Sequence, residues 1–273
     1  MRAGVPIADP ADPRIAVFRD IRERELVGRQ GLFIAEGEVV LATVIRLARH
    51  RLVNVLIDER RLAALTPLLD ALPAEVPVHV ASRPVLDGIA GFHLHRGILA
   101  AGECGPGLAV ETLLAPAGAR TLVVLSEIAN HDNLGGIFRN AAAFGADGIL
   151  LDAECCDPFY RKAIRVSVGT TLTLPFARLA PGEDVLARLD AAGYEVLALS
   201  PLGGEELSEV EVSARGAVLL GAEGPGLAAD LLARTRRVSI PMAGGIDSLN
   251  VATTSGIVLY ALAAARLSAA TRR

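Results

Sequence analysis

The chain reads as an α/β protein built in two parts, and three observations carry that reading. Strand-like apolar runs alternate with helix-periodic runs along most of the 273 residues, the pattern of a sheet covered by helices. Strands such as Thr121–Leu125 (TLVVL) are apolar on both faces, as parallel strands sandwiched between helices are. A Gly/Pro-rich stretch at Gly102–Gly107, with a second near Pro116–Gly118, separates a smaller N-terminal α/β unit from a larger C-terminal one. The expected division is residues 1–105, a linker over 106–119, and a second domain over 120–273.

In the first part, Arg14–Gln30 repeats Ile15, Phe18, Ile21 and Leu26 at the spacing of an amphipathic helix that stops at Gly31. Leu32–Ala35 then reads as a strand, Glu38–Arg49 as a helix, Val53–Ile57 as a strand, Arg60–Leu69 as a helix and Val76–Val80 as a strand. Ser82 can N-cap a short helix to Ile89, before a strand at Gly97–Ala101. The second part opens with a short helical segment between the two Gly/Pro stretches and the strand Thr121–Leu125. Helix Leu134–Phe144, strand Gly148–Leu151, a helix near Phe159–Val168, strand Thr171–Phe176 and helix Asp184–Ala191 follow. Strands Glu195–Leu199, Ala217–Leu220 and Val238–Ile240 lead to a last helix, Asn250–Ala270.

Composition excludes several classes. With 52% hydrophobic and 21% charged residues, the chain is neither disordered nor fibrous. No Trp and 4% aromatics argue against a nucleic-acid surface of stacked rings. Cys104, Cys155 and Cys156 form no C-x-x-C pair, so neither a disulfide framework nor a zinc knuckle is expected, and a reducing cytoplasm fits. Pro6, Pro10 and Pro13 stand where a signal peptide needs an apolar run. The apolar stretch Val251–Ala270 is broken by Thr253, Thr254, Ser255 and Arg266 and reads as a packed helix, so no membrane is expected. A net charge of −4 and a pI near 5.8 give no global nucleic-acid signature. Residues 1–61 are locally richer, with eleven Arg against nine acids.

Three clusters follow predicted strands, where open α/β sheets bind ligands. Glu127–Gly145 (EIANHDNLGGIFRNAAAFG) sets Asn133 at the head of a helix and Arg139 in its second turn. A plain N-cap with close packing at Gly135–Gly136 would explain that pattern without chemistry. Leu219–Leu227 (LLGAEGPGL) has glycines in the order G-x-x-G-x-G, which is not the dinucleotide fingerprint. Within it, Glu223 is a carboxylate placed between glycines that allow unusual backbone angles. Ile240–Val251 (IPMAGGIDSLNV) is a strand end, a loop, and then Ser248, Leu249 and Asn250 at the head of the last helix, where a simple N-cap is again the plainer reading.

Together the clusters resemble, in order and spacing, the motifs of the SpoU (TrmH-type) RNA ribose 2′-O-methyltransferases of the SPOUT superfamily. Asn133, Gly135, Arg139, Phe144 and Gly145 stand at the first motif's positions. Gly221, Glu223, Gly226 and Leu227 stand at the second's, and Ile240-Pro241-Met242 through Ser248-Leu249-Asn250-Val251 at the third's. The likeness runs from about Leu122 to Ala264. Arg29–Gly37 (RQGLFIAEG) is similar to the opening of the ribosomal-protein-L30-like substrate-binding domain found in many of these enzymes.

The resemblance implies a smaller L30-like RNA-binding domain followed by a parallel-sheet domain threaded into a trefoil knot, an exception to the rule that chains avoid knots. It implies S-adenosylmethionine held by Leu199, Ser200, Gly221, Ile240, Met242 and Leu249, with no metal. It implies a homodimer in which the first motif's helix brings Asn133 and Arg139 near the partner's pocket. The reaction is methyl transfer to a ribose 2′-hydroxyl of RNA, ribosomal RNA favoured over transfer RNA, and not DNA. The catalytic set carried over is Asn133, Arg139, Glu223, Ser248 and Asn250. A ribose hydroxyl is barely ionised at neutral pH and a guanidinium keeps its proton, so Arg139 is expected to bind an adjacent phosphate and stabilise the developing oxyanion. Asn133 would orient the ribose or Arg139, Glu223 would hold Arg139 or take a proton through water, and Ser248 and Asn250 would fix the hydroxyl and the second loop.

The alternative reading is a catalytically silent RNA-binding or ribosome-assembly factor of the same fold, against which the complete set of five polar residues argues. Base-nitrogen methylation goes with different loop motifs, and nicotinamide chemistry lacks its G-x-G-x-x-G. His131 beside Asp132 is expected to face solvent, His93 and His95 lack a third ligand for a metal, and Cys155 and Cys156 are expected to pack. An RNA face would gather Arg14, Arg19, Arg22, Arg24 and Arg29 with Arg139, Arg161, Lys162 and Arg165.

Overall fold

The computed structural model describes residues 4–19, 23–47, 49–90, 96–201, 203–211, 213–244, 246 and 248–271. In chain order, the first elements are β1 (Val5–Ile7), α1 (Glu23–Gln30), β2 (Leu32–Glu36), α2 (Glu38–Leu47), β3 (Leu52–Asp58), α3 (Leu62–Asp70), β4 (Val78–Ala81), α4 (Arg83–Ala90) and β5 (Ile98–Glu103). They are followed by α5 (Val110–Leu114), β6 (Arg120–Leu125), α6 (His131–Ala143), β7 (Gly148–Leu151), α7 (Arg161–Val166), β8 (Phe176–Arg178) and α8 (Val185–Ala191). The chain ends with β9 (Glu195–Leu199), β10 (Glu205–Glu206), β11 (Arg215–Leu220), α9 (Ala229–Ala233), β12 (Arg236–Ser239) and α10 (Val251–Thr271).

These elements form two compact units, Met1–Pro106 with Pro158–Thr173, and Gly107–Asp157 with Leu174–Arg273. The division differs from the expected one in two places. Pro158–Thr173 joins the first unit because its apolar residues are spent there: Ile164 and Leu172 are buried in the layer formed by Phe33, Val40, Leu41, Val44 and Leu69. Phe159 stacks on Phe33 with centroids 6.1 Å apart, and the His50 ring nitrogens lie 3.0 and 3.1 Å from the carbonyls of Glu103 and Leu172. The expected linker, in turn, belongs to the second unit from Gly107 on, where α5 buries Val110, Leu113 and Leu114.

The first unit's sheet has the order β1-β4-β3-β5-β2. It is mixed, with β5 antiparallel to both β3 and β2 and the rest parallel. Ile15, Phe18, Leu26, Leu86 and Ile89 cover the face opposite to Phe33 and Leu41. The helix expected over Arg14–Gln30 is in two pieces. Asp12 caps a 3-10 turn begun by Pro13, Arg19 is extended, and a regular helix starts only at Glu23. Ile21 lies outside the described residues, as do His93 and His95. The edge strand β1 was not expected; its Pro6 is tolerated because an edge strand needs bonds on one side only.

The second unit is a seven-stranded sheet in the order β10-β12-β9-β11-β6-β7-β8, parallel throughout. A strand expected at Thr171–Phe176 is a 3-10 turn over Thr170–Leu172, and β8 begins at Phe176. The β-branched threonines suggested a strand, but the hydroxyls of Ser167, Thr170 and Thr173 bond locally to Thr171 Oγ1, the Ser167 carbonyl and the Thr170 carbonyl. By length and composition, α10 could cross a membrane over Val251–Ser268. Val258, Leu259 and Leu262 are nonetheless buried, and Arg266 donates to the carbonyls of Arg120, Ser213 and Ala214 within the same unit.

One buried polar group in the first unit makes stability depend on pH. The Asn54 amide donates to the Arg14 carbonyl, which turns its Oδ1 to the Nδ1–H of His79 at 2.8 Å. Desolvation, aided by the Arg14 charge and opposed by Asp12, pushes the His79 proton affinity down. The unfolded ring takes a proton near its ordinary value of about 6.5, so this contribution is complete above that pH and is lost as pH falls towards the lower folded-state value. The unfolding midpoint is expected to drop between about pH 7 and 5 and to drop less in His79→Gln, as followed by circular dichroism.

Candidate active site

The clusters found in the sequence converge because neighbouring parallel strands end on one side of the sheet. Strands β12, β9, β11 and β6 are consecutive neighbours, and the chain leaves them at Ile240, Ser200, Gly221 and Ser126. Backbone bonds lock these exits together: Ser200 N–H donates to the Val238 carbonyl at 3.0 Å, and Ser126 N–H to the Leu220 carbonyl at 2.9 Å. The loop after β11 closes on itself, with the Gly226 N–H on the Ala222 carbonyl at 3.1 Å. A Cβ at Gly221 would sit 2.6 Å from the Gly226 carbonyl carbon and 2.7 Å from the Leu227 nitrogen, so only glycine fits there.

These loops enclose a cavity of about 330 Å³. All six residues expected to hold the cofactor line it, namely Leu199, Ser200, Gly221, Ile240, Met242 and Leu249. Glu223, Ser248 and Asn250 line it too, with Val251 and Thr254 from the first turn of α10.

At the cavity's rim, three polar side chains form one cluster. Asn250 Oδ1 caps α10, accepting from the N–H groups of Ala252 and Thr253 at 3.0 and 3.2 Å. Its Nδ2 donates to Asn133 Oδ1 at 2.9 Å and to Glu223 Oε1 at 3.2 Å. Asn133, buried at the head of α6, donates its own Nδ2 to the same Glu223 oxygen. Asn133 is oriented by one contact through each of its amide atoms and Asn250 by two through each, and one carboxylate oxygen of Glu223 receives two N–H groups. Asn250 therefore caps α10 through one atom of its amide and joins the cluster through the other. The N-cap of α6 is Asn130, which leaves Asn133 for the cluster.

Arg139 stands apart from this cluster. It lies six residues after Asn133, about 240° round the helix, and is exposed, with no partner among the described residues. Glu223 does not pair with it within the chain; both amides of the cluster bond a single carboxylate oxygen, Oε1. Asn133 meets its own chain's cavity loops. Ser248 lines the cavity without joining the cluster. His131 opens α6 and is half-buried rather than solvent-facing. Burial pushes the Cys155 thiol up to about 12 and the Cys156 thiol to about 11, which leaves both protonated and unreactive near neutral pH.

Two residues that sequence reasoning passed over stand close by. Thr254 lines the cavity, and Asn140 bonds α6 to α10; the seven-residue spacing of Asn140 from Asn133 was the available signal. The anticipated basic face is partly spent. Arg14 pairs with Asp12, Arg19 donates to the Ala11 carbonyl, and Arg161 lies 3.8 Å from Glu36. Arg22 lies outside the described residues, while Arg24 and Arg165 are exposed, without a partner among those residues.

The cavity, with glycine main chain in its wall, thus lies at the carboxyl ends of a parallel sheet beside an amide–carboxylate cluster. The model of the SpoU rRNA methylase family matches residues 120–260. An uncharacterized tRNA/rRNA methyltransferase of Mycobacterium tuberculosis is 41% identical over 93% of this chain and 90% of its own length. The 23S rRNA (guanosine-2′-O-)-methyltransferase of Shewanella oneidensis is 31% identical over 74% of this chain and 83% of its own. An AdoMet-bound rRNA methyltransferase from Sinorhizobium meliloti superposes with a TM-score of 0.80 at 25% identity, over 94% of this chain and 96% of that one. The chain belongs to the SpoU rRNA methylase family.

The cavity fits S-adenosylmethionine: the glycine loop Gly221–Gly226 leaves main-chain N–H and C=O groups at its wall, and Leu199, Ile240 and Leu249 offer apolar contact. A methyl at Gly221 would collide with the Gly226–Leu227 backbone and shift the loop that walls the cavity. Gly221→Ala is expected to keep the far-ultraviolet dichroism of the native protein while weakening S-adenosylhomocysteine binding by at least about tenfold in calorimetry.

Proposed function

We infer that the protein transfers the methyl group to a ribose 2′-hydroxyl, and that ribosomal RNA is its substrate in preference to transfer RNA. The cluster of Asn133, Glu223 and Asn250 at the cavity rim carries this reading, because it offers orienting amides and a charged acceptor where a hydroxyl nucleophile must be held. The name of the Shewanella oneidensis relative, a guanosine-2′-O-methyltransferase of 23S rRNA, supports it.

Bound in the cavity, S-adenosylmethionine supplies an activated sulfonium methyl. The chain's own residues must then hold the ribose and favour alkoxide character. Asn133, fixed by Glu223 and Asn250, orients the ribose, and Ser248 supplies a further hydrogen-bonding group at the cavity wall. Glu223 accepts the hydroxyl proton through water. Arg139, exposed and without a partner among the described residues, engages the neighbouring phosphate and the developing oxyanion through its guanidinium N–H groups. Because Arg139 faces away from its own cavity, this role fits a homodimer in which it serves the partner's site. Ile257 and Tyr260 expose 38% and 62% of their surface on α10, as an interface helix does. The first unit is the L30-like RNA holder, the segment between β9 and α10 is threaded as a trefoil knot, and the free thiols suit the cytoplasm.

Two measurements test this. Ribose-methylation profiling of RNA from a strain lacking the gene is expected to show one lost ribosomal 2′-O-methyl site, restored by the wild type but not by Arg139→Ala. No lost site would favour the silent RNA-binding factor. Ile257→Glu with Tyr260→Glu is expected to convert a dimer to a monomer in sedimentation velocity and to abolish transfer, while a monomeric wild type would remove the composite site.

A further inference from the structure

The seam between α6 and α10 does work that none of the motif residues performs. Asn133 and Asn140 are two helical turns apart and so share one face of α6, and both spend their amides on α10. Asn133 meets Asn250, while Asn140 Nδ2 donates to the Ala252 carbonyl at 2.7 Å and to the Ser255 hydroxyl at 3.0 Å. Between these two polar contacts the helices approach closely. A Cβ at Gly136 would lie 2.8 Å from the Ala252 Cβ, and one at Gly256 3.2 Å from Asn140 Nδ2. Ser255 is fully buried, and its hydroxyl donates to the same Ala252 carbonyl at 2.7 Å. That carbonyl, one turn into α10, is thereby held from two directions.

The turn so held is the one that builds the site. Asn250, Val251 and Thr254 all line the cavity, and Asn250 also completes the cluster with Asn133 and Glu223. A rotation of α10 about its axis would move all of them together. The small residues of the seam permit close approach but fix no angle, whereas a directional bond to one carbonyl does.

We propose that Asn140 is a positioning residue for the methyl-donor site: by tying the Ala252 carbonyl to α6, it sets the rotation at which the first turn of α10 closes the cavity. Asn140 lies outside the cavity lining and acts through α10. The assignment rests on the cavity being the S-adenosylmethionine site.

The test is calorimetric binding of S-adenosylhomocysteine to the full chain, in variants shown by dichroism to be folded at the working temperature. Asn140→Leu keeps the branched shape and removes the donor. It is expected to bind about tenfold more weakly than the wild type at every pH, the scale of one lost hydrogen bond. Asn140→Asp turns an acceptor towards the Ala252 carbonyl and is expected to be as weak near pH 8. A carboxyl group beside a carbonyl and away from solvent protonates more readily, and its O–H then donates as the amide did, so Asn140→Asp is expected to regain most of the wild-type affinity by about pH 5.5. A merely space-filling role would not produce that recovery. The proposal falls if Asn140→Leu binds like the wild type, or if Asn140→Asp tracks Asn140→Leu at every pH. If the wild type itself does not bind S-adenosylhomocysteine, the cofactor reading falls with it, a result seen in that arm alone.

Discussion

Four parallel strands that sit side by side impose the constraint on which the rest of the second unit depends. Because β12, β9, β11 and β6 run the same way, their loops emerge at one edge, and residues as far apart in sequence as Asn133, Gly221 and Asn250 become neighbours. That edge has little spare room. The loop after β11 is so tight that a methyl at Gly221 has nowhere to go, and Asn250 has both of its amide atoms engaged, one in starting a helix and the other in holding Asn133 and Glu223. A side chain with two duties tolerates few replacements: an N-cap is worth about 1 kcal/mol by itself, and a carboxylate near the surface keeps its orientation only while its donors remain.

Much of this was legible in the sequence. Strands such as Gly148–Leu151 and Glu195–Leu199 announce themselves as short apolar runs between turn residues, and the cavity loops are marked by glycine where backbone meets backbone. What stayed hidden depends on contacts distant in sequence. The threonines around Thr171 have strand-like shape, but a buried serine hydroxyl drew them into a turn. The direction of Arg139 could not follow from its motif position, because spacing gives the face of α6 but not which face meets α10. Asn140 carries no motif signal, and its role appears only once the helices are side by side.

Charge accounting also changes in three dimensions. All but one of the 27 basic residues are arginine, and many are committed to carbonyl groups inside the fold. Arg178 gathers the carbonyls of Asp152, Cys155 and Cys156. Arg215 gathers those of Ala192, Pro116 and Leu114, and Arg266 closes strand ends in the same way. A planar fork with five donors does this better than an ammonium. The acidic pI thus understates how few cations remain for RNA, which gives exposed residues such as Arg24, Arg139 and Arg165 a larger share of any phosphate contact.

The placement of Pro158–Thr173 bears on modularity. A family model that begins at residue 120 suggests a catalytic module that could be cut away from what precedes it. In this chain the cut would strand Ile164, Leu172 and Phe159, whose burial is supplied by residues before Pro106. Residues 1–106, expressed alone, would in turn lack the segment that seals their apolar face over Phe33 and Val40. The first unit's core is thus assembled from two separate stretches of chain, so substitutions in Pro158–Thr173 are judged by selection against residues encoded far upstream, and recombination at the apparent boundary would yield two fragments that each expose a greasy wound.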